Sequence, residues 1–237
     1  MALTRLDKLL ADSGRCTRSE ARALIRAGRV TVDGAAVFAP EAKYDAACVR
    51  IALDGSAVNC TQTRYLMLHK PAGVLSATED ARQSTVIDLL PPEYRRMRLF
   101  PVGRLDKDTT GLLLLTNDGD FAHRVISPKK HVPKRYIARV EGTLDDADIA
   151  AFADGIVLAD GTHCLPAQLV ILAPDLGQVT VYEGKYHQVK RMFAARGKPV
   201  TALHREQIGA LALDSALAPG QARELRLGEL DAVFAAD

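Results

Sequence analysis

The chain has little cysteine, and none of it is clustered. Cys16, Cys48, Cys60 and Cys164 lie far apart, with no Cys-x-x-Cys and no histidine at ligand spacing. That pattern argues against a zinc site and, in a chain of 237 residues, against a disulfide framework. Long apolar runs are missing too. The longest uncharged one, around Cys164 to Pro174, is too short and too proline-flanked to cross a membrane. The start, Met1-Ala2-Leu3-Thr4-Arg5, lacks the apolar core of a signal peptide, so the expectation is no membrane and a reducing cytoplasm. There is no P-loop, no dinucleotide-type glycine pattern, no internal repeat and no low-complexity segment. Net charge is only +2, which by itself says nearly nothing about partners.

What is present is charge in the right places. Between Phe121 and Val140 six Lys/Arg occur with no acid, and six more occur between Gly184 and Arg205, again with no acid. Clustered bases inside a balanced total predict a polyanion-binding face. The length accommodates one medium domain plus a small one, and 48% hydrophobic residues supply a real core.

The first segment, residues 1–60, reads as a small αβ module. Leu6, Leu9 and Leu10 recur at helical spacing until Asp12-Ser13-Gly14, and Ser19-Glu20 open a second helix with Ala21, Leu24 and Ile25 on its apolar side. Gly28 ends it, and Val30-Thr31-Val32 runs into the hairpin signal Asp33-Gly34. Arg18, Arg22, Arg26 and Arg29 follow at offsets of about four residues, with Arg15 just upstream and no acid interleaved at i±4. Such a stripe predicts phosphate contacts rather than a salt-bridged helix face. The runs Arg5-Leu6-Asp7-Lys8-Leu9-Leu10, Ser19-Glu20-Ala21-Arg22 and Gly28-Arg29-Val30-Thr31-Val32-Asp33-Gly34 resemble the S4-type RNA-binding domain, which implies structured RNA and no particular chemistry. Gly55 to Thr63, small and polar, reads as a linker.

Residues 61–237 read as a second, α+β domain. Strands are predicted at Tyr65 to Leu68, Leu112 to Leu115, Tyr136 to Val140, Gln168 to Leu172 and Gln178 to Tyr182, with helices near Asp120 to Ile126, Asp145 to Phe152 and His187 to Arg196. Few helices and hairpin-length spacings favour a mixed, largely antiparallel sheet with flanking helices. The stretch Gly103-Arg104-Leu105-Asp106-Lys107-Asp108-Thr109-Thr110-Gly111-Leu112 sets Asp106 on a tight loop just before the buried leucine strand. A carboxylate beside a core is costly to keep ionised unless a cation answers it.

That stretch, continued through Thr116-Asn117-Asp118-Gly119, resembles the signature of the RsuA-type pseudouridine synthases. Lys70-Pro71-x-Gly73, Lys134-x-Tyr136, Glu183 through Phe193, Leu203-His204-Arg205-Glu206 with Ile208-Gly209, and Leu217-Ala218-Pro219-Gly220 match further motifs of that family in order. An S4-type domain in front completes its architecture. The resemblance implies the pseudouridine synthase fold and site-specific isomerisation of uridine in ribosomal RNA. It points to the branch acting on uridine 516 of small-subunit 16S RNA, with the 23S branches as the alternative. A non-catalytic assembly factor would need no intact aspartate loop, and an S4-bearing synthetase or methyltransferase would carry a nucleotide-binding glycine motif.

The reaction so implied breaks the bond from ribose C1′ to uracil N1 and rejoins C1′ to C5. No atoms are gained or lost, so no cofactor or metal is called for. One ionised carboxylate acts at C1′, at C6, or as a base at C2′, and by resemblance it is Asp106. Lys190 takes the position that pairs with it, Tyr136 lies against a flipped base, Leu203 packs its other side, and Arg104 fills the vacated stack. Flipping costs a few kcal/mol, and stacking on an aromatic returns roughly 1–3 kcal/mol, so other contacts must supply the rest. Arg15, Arg18, Arg22, Arg26, Arg29, Lys134 and Arg191 are the expected RNA contacts, while Lys70, Gln188 and Arg205 read as structural or phosphate-contacting. The expected partner is ribosomal RNA in a pre-ribosomal small-subunit particle, met by a monomer.

Overall fold

The computed structural model describes residues 3–46, 48–58, 63–95 and 97–235. It divides into two compact units, Met1–Arg64 with Leu90–Phe100, and Tyr65–Leu89 with Pro101–Asp237.

In the first unit, helices α1 (Leu6–Asp12) and α2 (Arg18–Arg26) precede strands β1 (Val30–Val32), β2 (Ala35–Ala36), β3 (Ile51–Leu53) and β4 (Ser56–Val58), in sheet order β2-β1-β3-β4. Thr17, not Ser19, caps α2: its side chain accepts from the Glu20 amide while Glu20 reaches back to the Thr17 amide. Asp33-Gly34 and Asp54-Gly55 both sit at positive φ, the geometry a two-residue hairpin demands. The second pair corrects the linker reading. Ser56–Val58 pairs with β3, and Val58 joins the core of Leu6, Leu10, Ile25 and Val30. Residues 59–62 of the expected linker, Cys60 included, lie outside the described residues.

The second unit is built on one sheet. Its strands are β5 (Tyr65–Lys70), β6 (Thr110–Thr116), β7 (Lys134–Val140), β8 (Gln168–Ala173), β9 (Leu176–Val181), β10 (Val200–Ile208) and β11 (Ala222–Glu224), in the order β8-β9-β7-β10-β6-β5-β11. Helices α3 (Gly119–Ile126), α4 (Asp146–Asp154) and α5 (Gln188–Ala195) flank it. Phe152 of α4 and Met192 and Phe193 of α5 are fully buried with Val179 and Ala138 of the sheet. The four leucines of β6 are buried because both faces of that strand are covered, which explains the unbroken apolar run. No helix among the described residues is long and apolar enough to cross a membrane.

The pairings along this order are antiparallel except one, the short parallel contact of His204 and Arg205 with Thr110 and Gly111. Two halves of the sheet join there. Gly111 has φ +109°, and a Cβ on it would lie 2.2 Å from the Arg205 carbonyl oxygen, so the seam closes only on glycine. The loop carrying Asp106 ends at this seam.

Candidate active site

The aspartate loop is fastened from within. Lys70, at the end of β5, is fully buried, and its ammonium donates to the carbonyls of Pro71 (3.0 Å), Asp106 (3.1 Å), Lys107 (3.2 Å) and Thr109 (2.9 Å). Burial pulls its pKa down to about 8, against the upward pull of Asp108 and Asp106. The Ser76 hydroxyl donates to the Leu105 carbonyl and accepts from the Leu105 amide, while the Gly73 amide donates to the Lys107 carbonyl. The backbone around Asp106 is therefore held before any substrate arrives. Lys70 is a structural residue, one of the two roles its motif suggested.

The Asp106 carboxylate is a quarter exposed. Lys190 Nζ, on α5, stands 3.4 Å from Oδ2, and His187 Nε2 stands 3.4 Å from Oδ1. The same ammonium lies 2.5 Å from Asp108 Oδ1, and this bond, more than burial opposes it, lowers the Asp108 pKa. Lys190 thus bridges two carboxylates and sits closer to the one that is three-quarters exposed. Asp108 and His187 were given no role by the sequence reading. The i+2 acid after Asp106 and the histidine opening α5 were the available signals.

A cavity of about 80 Å³ opens beside Asp106, walled by Arg104, Thr109, Tyr136, Val181, Gln188 and Leu203 among others. The β7–β10 register sets Ala138 opposite Leu203 and Tyr136 opposite Arg205. Tyr136 and Leu203 therefore reach the cavity from neighbouring strands. Arg205 is buried beneath. It donates to the Leu112 carbonyl across the seam (2.8 Å) and to the Tyr136 hydroxyl (3.3 Å), with its guanidinium 5.8 Å from that ring. The Glu183 carboxylate, also buried, accepts from the Gln188 amide group, the Leu165 backbone amide and the Lys185 ammonium, and Gln188 in turn accepts from the Lys185 amide. This knot shapes the 183–188 loop that forms the cavity rim.

Asp106, Arg104, Tyr136, Lys190 and Leu203 thus converge, although 99 residues separate the first and last in sequence. The expected RNA contacts fare differently. Lys134 is buried, its ammonium donating to the Val125 carbonyl at 3.2 Å, and burial with the nearby Arg205 charge lowers its pKa to about 8. It braces α3 against β7 and presents no cation to solvent. Arg191 is tied to Asp160 (2.5 Å) and to the Tyr186 carbonyl.

In the first unit, the arginine stripe proves partly answered by acids remote in sequence. Asp7, fully buried on α1, pairs with Arg5 (2.9 Å), Arg22 (3.0 Å) and Arg18 (3.3 Å). Arg5 above all, then Arg22 and Arg18, hold its carboxyl well below the usual range despite burial. Arg29 pairs with Asp54 at 2.5 Å. Arg15 donates to the Ala57 carbonyl, and Arg26 is exposed. An i±4 inspection sees only acids on the same helix, so it missed Asp7 and Asp54.

Comparison with known proteins gives the class first. Residues 64–195 match the family model described as RNA pseudouridylate synthase, and residues 4–38 match that of the S4 domain. The chain belongs to the RNA pseudouridylate synthase family. Its relatives narrow this. An uncharacterized RNA pseudouridine synthase of Bacillus subtilis (strain 168), YtzG, is 47% identical over 230 residues, 95% of this chain and 96% of that one. Ribosomal small subunit pseudouridine synthase A of Escherichia coli (strain K12) is 41% identical over 234 residues, 97% of this chain and 99% of that one. A crystal structure of a pseudouridylate synthase superposes with a TM-score of 0.69 at 36% identity, covering 97% and 99% of the two chains.

Proposed function

We propose that the chain isomerises uridine to pseudouridine at one site of small-subunit ribosomal RNA, uridine 516 of 16S RNA, with Asp106 as the reacting carboxylate. The observation that carries this reading is that the Asp106 carboxylate, Tyr136 and Leu203 line a single cavity, with the Lys190 ammonium 3.4 Å from Asp106. The full-length likeness to a ribosomal small subunit pseudouridine synthase supports the choice of RNA. In this reading the uridine leaves its stack, Tyr136 lies against the base and Leu203 packs the opposite side. Arg104, exposed at the mouth, occupies the space left behind. Lys190 places a positive charge 3.4 Å from the Asp106 carboxylate. His187 shields the other oxygen. The S4 domain adds RNA affinity through Arg15 and Arg26 and through the outer edges of Arg18, Arg22 and Arg29. The substrate is a pre-ribosomal particle, met by a monomer in the cytoplasm.

Mapping pseudouridine in ribosomal RNA from cells with and without this gene tests the reading directly. Loss of the modification at uridine 516 alone is expected. Loss at a 23S position instead would move the chain to a large-subunit branch, and no loss anywhere would refute the activity.

A further inference from the structure

Next to the cavity at Asp106 lies a larger one, about 1080 Å³, that shares Arg104, Asp106, Lys185 and His187 with it. The reaction on a single flipped uridine leaves this space unexplained. Its rim carries Tyr186, which is 72% exposed. The Tyr186 ring is stacked on His187, with centroids 3.9 Å apart and planes 18° from parallel. His187 in turn approaches Asp106 to 3.4 Å. An aromatic pile therefore begins at the reacting carboxylate and ends with a bare tyrosine face in solvent.

Single exposed apolar side chains are ordinary and need no function. Three features set this one apart. Its backbone is held on both sides, by Arg191 donating to the Tyr186 carbonyl and by the left-handed turn at His187 (φ +47°) fixed by the Glu183–Gln188 knot. The cavity it borders carries the cations Arg104, Lys107 and Lys185. Its one acid besides Asp106 is Asp80, whose Oδ1 is already taken by the amides of Arg82 and Gln83. The Lys185 ammonium is already paired with Glu183, whereas Lys107 is bonded only to the neutral Gln83 amide oxygen and keeps its charge unanswered. A rigid aromatic face beside that charge and a nearly acid-free wall fits a base on the ring and a phosphate on Lys107.

We propose that Tyr186 is a stacking platform for the base of an unpaired nucleotide directly flanking the target uridine, with Lys107 contacting its phosphate. This rests on the reading that the substrate is RNA and adds a second subsite to it. Stacking is tolerant of base identity, so the subsite reads the absence of pairing next to the target rather than a sequence. A target whose neighbour is locked in a helix would leave the platform empty.

The test uses the full chain and a 16S RNA fragment carrying uridine 516, with 2-aminopurine replacing its 5′ or its 3′ neighbour in turn. Wild-type protein is expected to change the fluorescence of one of the two probes. Tyr186→Ala should abolish that change and weaken binding roughly 5- to 160-fold, the range for losing one base–aromatic stack, while Tyr186→Phe retains both. Tyr186 is exposed, so an unchanged melting temperature confirms that the variant folds. Equal signals and equal affinities for wild type and Tyr186→Ala would overturn the platform. Pseudouridine formation is followed in the same samples with unmodified fragment. Product without a Tyr186-dependent signal sinks the platform alone, and a Tyr186-dependent signal without product sinks the activity alone.

Discussion

Replacing Lys70 by methionine keeps the buried stem and removes the ammonium that four loop carbonyls share. Two effects oppose each other. An ammonium has three protons, and hydrogen bonds to a charged group contribute about 1.5–3 kcal/mol each, so their loss is destabilising by several kcal/mol. Against this, the buried charge is disfavoured: a fall from 10.5 to about 8 is some 2.5 units, which at 1.36 kcal/mol per unit is about 3 kcal/mol. The net expectation at neutral pH is a destabilisation of about 2–5 kcal/mol, because stranded carbonyls also stay buried. The pH dependence is the sharper signature. A lysine with a depressed folded pKa carries its full penalty below about 8 and is relieved as pH rises toward the unfolded value near 10.5. Between these limits the unfolded chain binds more protons, so wild type gains about 3 kcal/mol from this group and the variant gains none. Denaturant melts of both proteins at pH 7.5 and at pH 10 isolate the effect, since all other groups cancel in the difference. At pH 7.5 the variant should also turn over at least tenfold more slowly while still folded, because an aspartate misplaced by about 1 Å loses attack geometry worth up to 100-fold. A stability difference between the two proteins that stays flat across this window, or full turnover in the variant, would refute the anchoring role.

Asp106→Asn is expected to abolish isomerisation while leaving RNA affinity within about twofold, since one exposed-edge carboxylate adds little to binding; retained activity in a single-turnover assay would remove Asp106 from its role. Asp7→Ala should cost the first unit about 3–5 kcal/mol by leaving three arginines around an empty buried site, read as a lower denaturation midpoint. Because the folded Asp7 pKa is depressed, wild type holds this advantage above about pH 4 and loses it as pH falls further, so the two midpoints should converge in acid. Arg26→Ala should flatten the dependence of log affinity on log salt by about 0.7–0.9, one phosphate contact, whereas an unchanged slope would return Arg26 to an ordinary solvated face.

Periodicity gave most helices and strands because their apolar faces repeat at 3.6 or 2 residues, as in α2 and β9. β10 escaped, and its residues explain why. Val-Thr-Ala-Leu-His-Arg-Glu-Gln-Ile carries Leu203 and Arg205 toward the cavity and its partners, and polar His204 and Glu206 between them, so neither face is purely apolar. A strand that builds a site cannot show the alternation of a strand that only builds a core. The partners of the bases were hidden for a related reason. Lys134 and Arg18 look identical to solvated bases in one dimension, and only the fold reveals the Val125 carbonyl and the Asp7 carboxylate that meet them. The convergence on Asp106 was legible through motif order, while the sharing of Lys190 with Asp108 was not, since it depends on a distance of 2.5 Å across two elements.

The parallel seam explains why these residues meet at all. The β6–β10 pairing joins β5 and β6 to the β7–β10 half, and the Arg205 guanidinium bonded to the Leu112 carbonyl pins the two halves side by side. Asp106 enters from the β6 half, Tyr136 and Leu203 from the other, and Lys190 from the helix that leads into β10. A side chain at position 111 would force the halves apart by its contact with the Arg205 backbone, and the carboxylate would leave the tyrosine with it. The meeting of Asp106 with Tyr136 and Leu203 thus rests on a glycine that does not itself line the cavity. The spacing between the Asp106 loop and the wall of Tyr136 and Leu203 is set by the backbone of the sheet rather than by any contact among those side chains.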